Sequence, residues 1–82
     1  MYTQRKFGIE LKEKIAKAEL VSDIAGWCHN LYYDYISDVI DTDFGELLLQ
    51  LGTMEMGSEF ERSYEELDQI ADRLIAGENV KL

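Results

Sequence analysis

An 82-residue chain makes one domain, 1–82, and at that length folding hides only about 60–65% of the surface the unfolded chain exposes, leaving a modest core and little room for a deep catalytic pocket. Apolar residues make up 46% of the chain, too many for a disordered acidic tail. The net charge of −9 is unevenly laid down: residues 1–17 carry +3, residues 18–61 carry ten carboxylates and not one Lys or Arg, and residues 62–82 carry −2, which disfavours nucleic acid as a partner, because phosphates need cations.

The predicted elements, in chain order, are four helices. The first runs roughly from Ile9 to Ala18, with Leu11, Ile15 and Ala18 at helical spacing and Lys12, Glu13, Lys14 and Lys17 on other faces. Glu10 with Lys14 and Glu13 with Lys17 form i, i+4 pairs that support it. The second begins near Ser22, read as an N-cap behind the apolar Val21, and runs to about Ile40; Ile24, Cys28, Leu31 and Tyr35, widened by Trp27, Tyr32, Ile36 and Val39, give it a broad buried face. Asp41, Thr42 and Asp43 then turn, and Asp43 and Glu46 stand in the spacing of a capping box. The third helix follows as a stripe of Phe44, Leu47, Leu48, Leu51 and Met54, weakened by Gly52 and closed at Gly57. The fourth runs from Tyr64 to Ala76, with Ser63 and Glu66 as a capping box, Leu67, Ile70, Ala71, Leu74 and Ile75 as its stripe, and Gly77 as its stop. The fold expected is all-α, a compact four-helix antiparallel bundle.

Cys28 stands alone, so no disulfide forms within the chain. No apolar run reaches signal-peptide or membrane-span length; the longest, Leu47 to Leu51, already contains Gln50. The expectation is a soluble, cytoplasmic protein. Cys28 and His29 are neighbours, about 100° apart on a helix, and do not make a nucleophile–base pair; no Ser-His-Asp or paired-carboxylate arrangement stands out. The reading is therefore no enzyme, no catalytic residues and no cofactor, with Cys28 and Trp27 in the core and His29 partly exposed.

Asp34, Asp38 and Asp41 fall at i, i+4 and i+7, so a helix projects them from one face, with Asp43 and Glu46 close behind. Like charges at such spacings oppose helix formation by a few tenths of a kcal/mol each, a local cost with no structural return. The bland reading is a solvated face with a cap, and the functional one a partner-binding patch. A divalent-cation site is the third reading, but Asp41-Thr42-Asp43-Phe44-Gly45-Glu46 places glycine one position early for a calcium-binding loop, and Gly52 stands where its twelfth-position glutamate belongs. No metal site is assigned. Tyr33, expected on the exposed side beside Asp34, adds a stiff aromatic contact to the patch.

With tyrosines among aspartates in the middle of the chain (Tyr32-Tyr33-Asp34-Tyr35, then Asp38), strong acidity, one cysteine and four short helices, the chain resembles the small helical immunity proteins with which bacteria neutralise their own nuclease toxins. Those place such a tyrosine pair in a short helix ending at proline, whereas here it stands in a long segment with no proline. The resemblance implies a bacterial, non-catalytic inhibitor that covers the cationic site of a basic toxin or nuclease domain, with roles for Tyr33, Asp34 and Asp38. Asp41, Asp43 and Glu46 extend the same candidate surface. The competing reading is a small adaptor or structural subunit of an oligomeric complex, a homo-oligomer included, with Trp27, Phe44, Phe60 and Tyr64 at its interface.

Overall fold

In the computed structural model, which describes residues 3–35, 42–57 and 61–80, the chain forms two antiparallel helix pairs. Helix α1 (Gln4–Ala16) runs against α4 (Tyr64–Ile75), and α2 (Val21–Tyr35) runs against α3 (Thr42–Gly52) and its 3₁₀ extension, Thr53–Met56. Cross-helix neighbours fix both directions. Gly8 lies against Ala71, Leu74 and Ile75, while Lys12, one turn on, reaches back to Asp68 (3.3 Å) and Asp72 (2.6 Å). In the second pair Tyr32 faces Gly45, His29 lies on Gly52, and Gly26 stands beside the Glu55 carboxylate. The result is the all-α antiparallel four-helix bundle expected, with no strand among the described residues. Its Cα radius of gyration of 11.6 Å matches the roughly 12 Å of a compactly folded chain of this length.

The core draws on every helix. Phe7 and Leu11 come from α1, Ile24, Ala25 and Cys28 from α2, Phe44, Leu47, Leu48 and Leu51 from α3, and Leu67, Ile70, Ala71 and Leu74 from α4. Met54 carries the stripe of α3 into the 3₁₀ turn, and Val80, in the segment after α4, joins the same core. Phe7 is the aromatic hub: it stacks on Trp27 at 4.9 Å and meets Phe44 edge-on at 5.5 Å. Leu31 and Ile15, expected to be buried, are half-buried against this core.

Helix ends account for most differences from the sequence reading. Helix α1 starts at Gln4, a turn and a half before the expected Ile9, because Thr3 caps it, its hydroxyl oxygen accepting from the Lys6 amide at 3.1 Å. The early turn buries Phe7, one turn before Leu11, and the absent side chain of Gly8 lets the helix approach α4, where a Cβ would stand 2.9 Å from the Ala71 carbonyl oxygen. Ala18 belongs to no stripe. It is exposed, at φ 54°, in a Schellman stop in which the Ala18 amide donates to Ile15 and the Glu19 amide to Lys14. Helix α4 ends the same way, with Gly77 at φ 89° and the amides of Gly77 and Glu78 donating to Leu74 and Arg73.

Ser22 is not a cap. The Leu20 carbonyl accepts from both Asp23 and Ile24, so α2 begins at Val21 directly after the Schellman stop, and Ser22 lies in its first turn. Asp43 is likewise displaced from the cap position, because α3 already includes Thr42; Asp43 stands in the first turn, where a carboxylate suits the positive end of the helix dipole. The expected continuation of the second helix to Ile40, and the turn through Asp41, lie outside the described residues. Gly52 closes α3 as an α-helix, the chain tightens into the 3₁₀ turn, and Gly57 ends that turn. Helix α4 matches its expectation closely: the Ser63 hydroxyl accepts from the Glu66 amide at 3.1 Å and reaches the Glu66 carboxylate at 3.4 Å.

Candidate partner-binding face

Pairing α1 with α4 and α2 with α3 sorts the charges into two layers. Every Lys and Arg among the described residues lies in or beside α1 and α4. Four of them meet carboxylates there: Lys12 bridges Asp68 and Asp72, Lys14 reaches Glu19 at 3.4 Å, Arg62 reaches Glu66 and Arg73 reaches Glu78, both at 3.5 Å. The α2–α3 layer has no Lys or Arg, and carries Asp23, Asp34, Asp43, Glu46 and Glu55. Chain order alone shows an acidic middle; the helix pairing turns it into a face.

The antiparallel register brings the last turn of α2 next to the first turn of α3, so that Tyr33 and Asp34 stand at the same end of this layer as Asp43 and Glu46. Tyr33 is 69% exposed, Asp34 and Glu46 are exposed, and Asp43 is half-buried. Asp38 and Asp41, the other two residues of the candidate surface, lie outside the described residues. Tyr32 packs against the core and meets Tyr33 edge-on at 5.6 Å, so the adjacent tyrosines divide between burial and surface as their helical positions predict.

The sequence reading missed a neighbouring unit. His29 Nδ1 lies 3.0 Å from Glu55 Oε2, linking α2 to the 3₁₀ turn, and the imidazole rests on Gly52, where any Cβ would overlap it. The ring also stands 6.4 Å from that of Tyr33. The available signal was Gly52 itself: glycine inside a helix that is otherwise a good apolar stripe marks a close approach by another group.

No arrangement for nucleophilic chemistry emerges at Cys28. It is buried, and burial pushes its thiol up to about 12 from an ordinary 9.0, the opposite of an activated nucleophile, although the charge of Lys14 works in the other direction. Among the described residues no three His, Cys, Asp or Glu side chains are grouped to hold a metal ion. An open groove of about 200 Å³ is lined by Glu10, Glu13, Lys14, Lys17, Glu19 and Trp27; its aromatic wall is already covered by Lys14, whose Nζ lies 4.7 Å over the Trp27 ring. Of the residues a subunit interface would use, Phe44 is in the core, Trp27 is half-buried against Phe7, and Tyr64 is exposed with its hydroxyl donating to the Glu19 carbonyl at 2.6 Å. Phe60 lies outside the described residues. No helix among the described residues is long and apolar enough to cross a membrane. No family model, curated protein or solved structure matches the chain.

Proposed function

We propose that this chain is a non-catalytic binding protein whose acidic α2–α3 layer covers a basic protein partner, as a cytoplasmic bacterial immunity protein covers a toxin such as a nuclease. The observation that supports this reading best is the sorting of charge by layer: every Lys and Arg among the described residues lies in or beside α1 and α4, where Lys12, Arg62 and Arg73 meet carboxylates, and the α2–α3 layer has neither Lys nor Arg. A face of one sign speeds encounter with the opposite sign and repels competitors, while an exposed tyrosine among its carboxylates supplies the short-range contact that charge alone lacks.

The reading is tested by capturing partners from the protein's own cell lysate at low and moderate salt and identifying them by mass spectrometry. One basic protein should be recovered and should dissociate as salt rises. Replacing Asp34 and Glu46 by Lys should then lower its affinity at least ~30-fold, about 2 kcal/mol, with no loss of the thermal transition. Full affinity in that double variant would exclude this face. Exposed Leu20 and Met56 favour the second reading, a small subunit of an assembly, which predicts recovery of further copies of the chain or of a large neutral complex and a melt that depends on protein concentration.

A further inference from the structure

We propose that His29 is a positioning residue of the acidic face, holding the ring of Tyr33 in one orientation as a pre-ordered anchor for the partner. The proposal rests on the reading of that face as a docking surface and assigns a device within it. A tyrosine 69% exposed on an isolated helix samples several side-chain rotamers, and docking has to select one. Here the ring has two aromatic neighbours. Tyr32, itself packed on the core, meets it edge-on at 5.6 Å with the rings 75° apart. His29, one helical turn earlier on the same face, meets it at 6.4 Å and 51°, within the range over which aromatic rings attract.

His29 can serve as a wall because it is itself fixed to the neighbouring helix. Its imidazole lies directly on the backbone of Gly52, in space that any side chain there would fill. Its Nδ1 is tied to Glu55 at 3.0 Å, on the 3₁₀ turn that follows. The chain of contact thus runs from α3 through Gly52 and Glu55 to His29, and from His29 to Tyr33. It explains why α3 carries a glycine two residues before the buried Met54, where any other side chain would displace the imidazole.

The test needs no partner. In ¹³C-labelled protein, side-chain coupling constants should place Tyr33 in a single χ1 rotamer, with nuclear Overhauser contacts from its ring to Tyr32 and His29. His29→Ala and Gly52→Ala, which unseat the imidazole in two different ways, should average those couplings and lose the contact to Tyr32. Glu55→Gln, which keeps a hydrogen-bonding partner for Nδ1, should retain them, and Glu46→Gln should leave them unchanged. Averaged couplings in the wild type, or a single rotamer persisting in a folded His29→Ala protein, overturn the proposal. If Gly52→Ala does not fold, the wild-type and His29→Ala spectra still decide. A fruitless search for a partner counts against the docking reading and leaves these couplings untouched.

Discussion

Ala18 occupies a backbone region that suits glycine. Its φ of 54° stops α1 in the same hydrogen-bond pattern that Gly77 uses to stop α4, but Ala brings a Cβ that crowds the following carbonyl. Ala18→Gly should therefore stabilise the protein by about 1 kcal/mol, seen as a higher urea midpoint at unchanged slope. Gly52 is the opposite case. In an exposed helix Gly→Ala gains about 1 kcal/mol, but here the new methyl meets the His29 imidazole, so Gly52→Ala should destabilise by about 1–3 kcal/mol. In a His29→Ala background most of that loss should vanish, and additive effects in the double-mutant cycle would refute the contact. Burial of Cys28 gives a pH dependence with a definite sign. In the unfolded chain the thiol loses its proton near pH 9, and in the fold it keeps it to about 12, so between those values stability falls as pH rises, by at most about 1.4 kcal/mol per pH unit. Lys12 adds to the same alkaline loss: hydrogen bonds first to Asp72 and then to Asp68 raise its folded pKa above 10.5, so its contribution is whole below 10.5 and disappears as pH rises through the higher folded value. Urea titrations between about pH 8 and about pH 11 should show this decline, and Cys28→Ala should flatten its lower part.

Two serines separate a cap that forms from one that does not. Ser63 accepts from the Glu66 amide at the head of α4, whereas Ser22 lies within the first turn of α2. Ser63→Ala should cost about 1 kcal/mol and Ser22→Ala less than about 0.5 kcal/mol, measured by chemical denaturation. The contrast also shows what the sequence made legible. Helix α4 could be drawn closely because cap, apolar stripe and stop all agree and all lie within the helix. For α2 the Ser22 signal was outweighed by the Schellman stop just before it, where the amides of Ala18 and Glu19 turn the chain so that Leu20 becomes the boundary residue. The start of α1 was hidden because Gly8 interrupts a helical pattern unless α4 is known to lie against it. Agreeing local signals were readable; a boundary where two local signals compete, as at Ser22, or where a neighbouring helix decides, as at Gly8, was not.

At the scale of the molecule, the acidic bias of the central residues was evident from the chain, and the partition into a layer that holds Lys and Arg and one that holds neither was not, since it depends on which helices pair. Tyr33 and Asp34 were singled out by helical position alone and are exposed, whereas the His29–Gly52–Glu55 unit spans two helices and left only an unexplained glycine in the sequence. Self-repulsion in the α2–α3 layer makes the isolated protein sensitive to ionic strength: raising salt from about 20 to about 300 mM should increase its melting temperature by a few degrees. Glu46→Lys should give a similar gain at low salt while weakening capture of a basic partner, which separates the stability of the free chain from its affinity. The pairing of helices also orders events in time. The bond from His29 to Glu55 closes a loop of 26 positions, whereas that from Gln4 to Asn79 closes one of 75, a difference of about 1 kcal/mol in closure entropy for a flexible chain. The α2–α3 hairpin should therefore close ahead of the α1–α4 pair, seen as larger effects on folding rate from core truncations in α2 and α3 than from those in α1 and α4. In that order of events the acidic layer forms before the basic residues of α1 find their carboxylates on α4, so a folding chain would present its anionic surface while its cationic segment is still unattached.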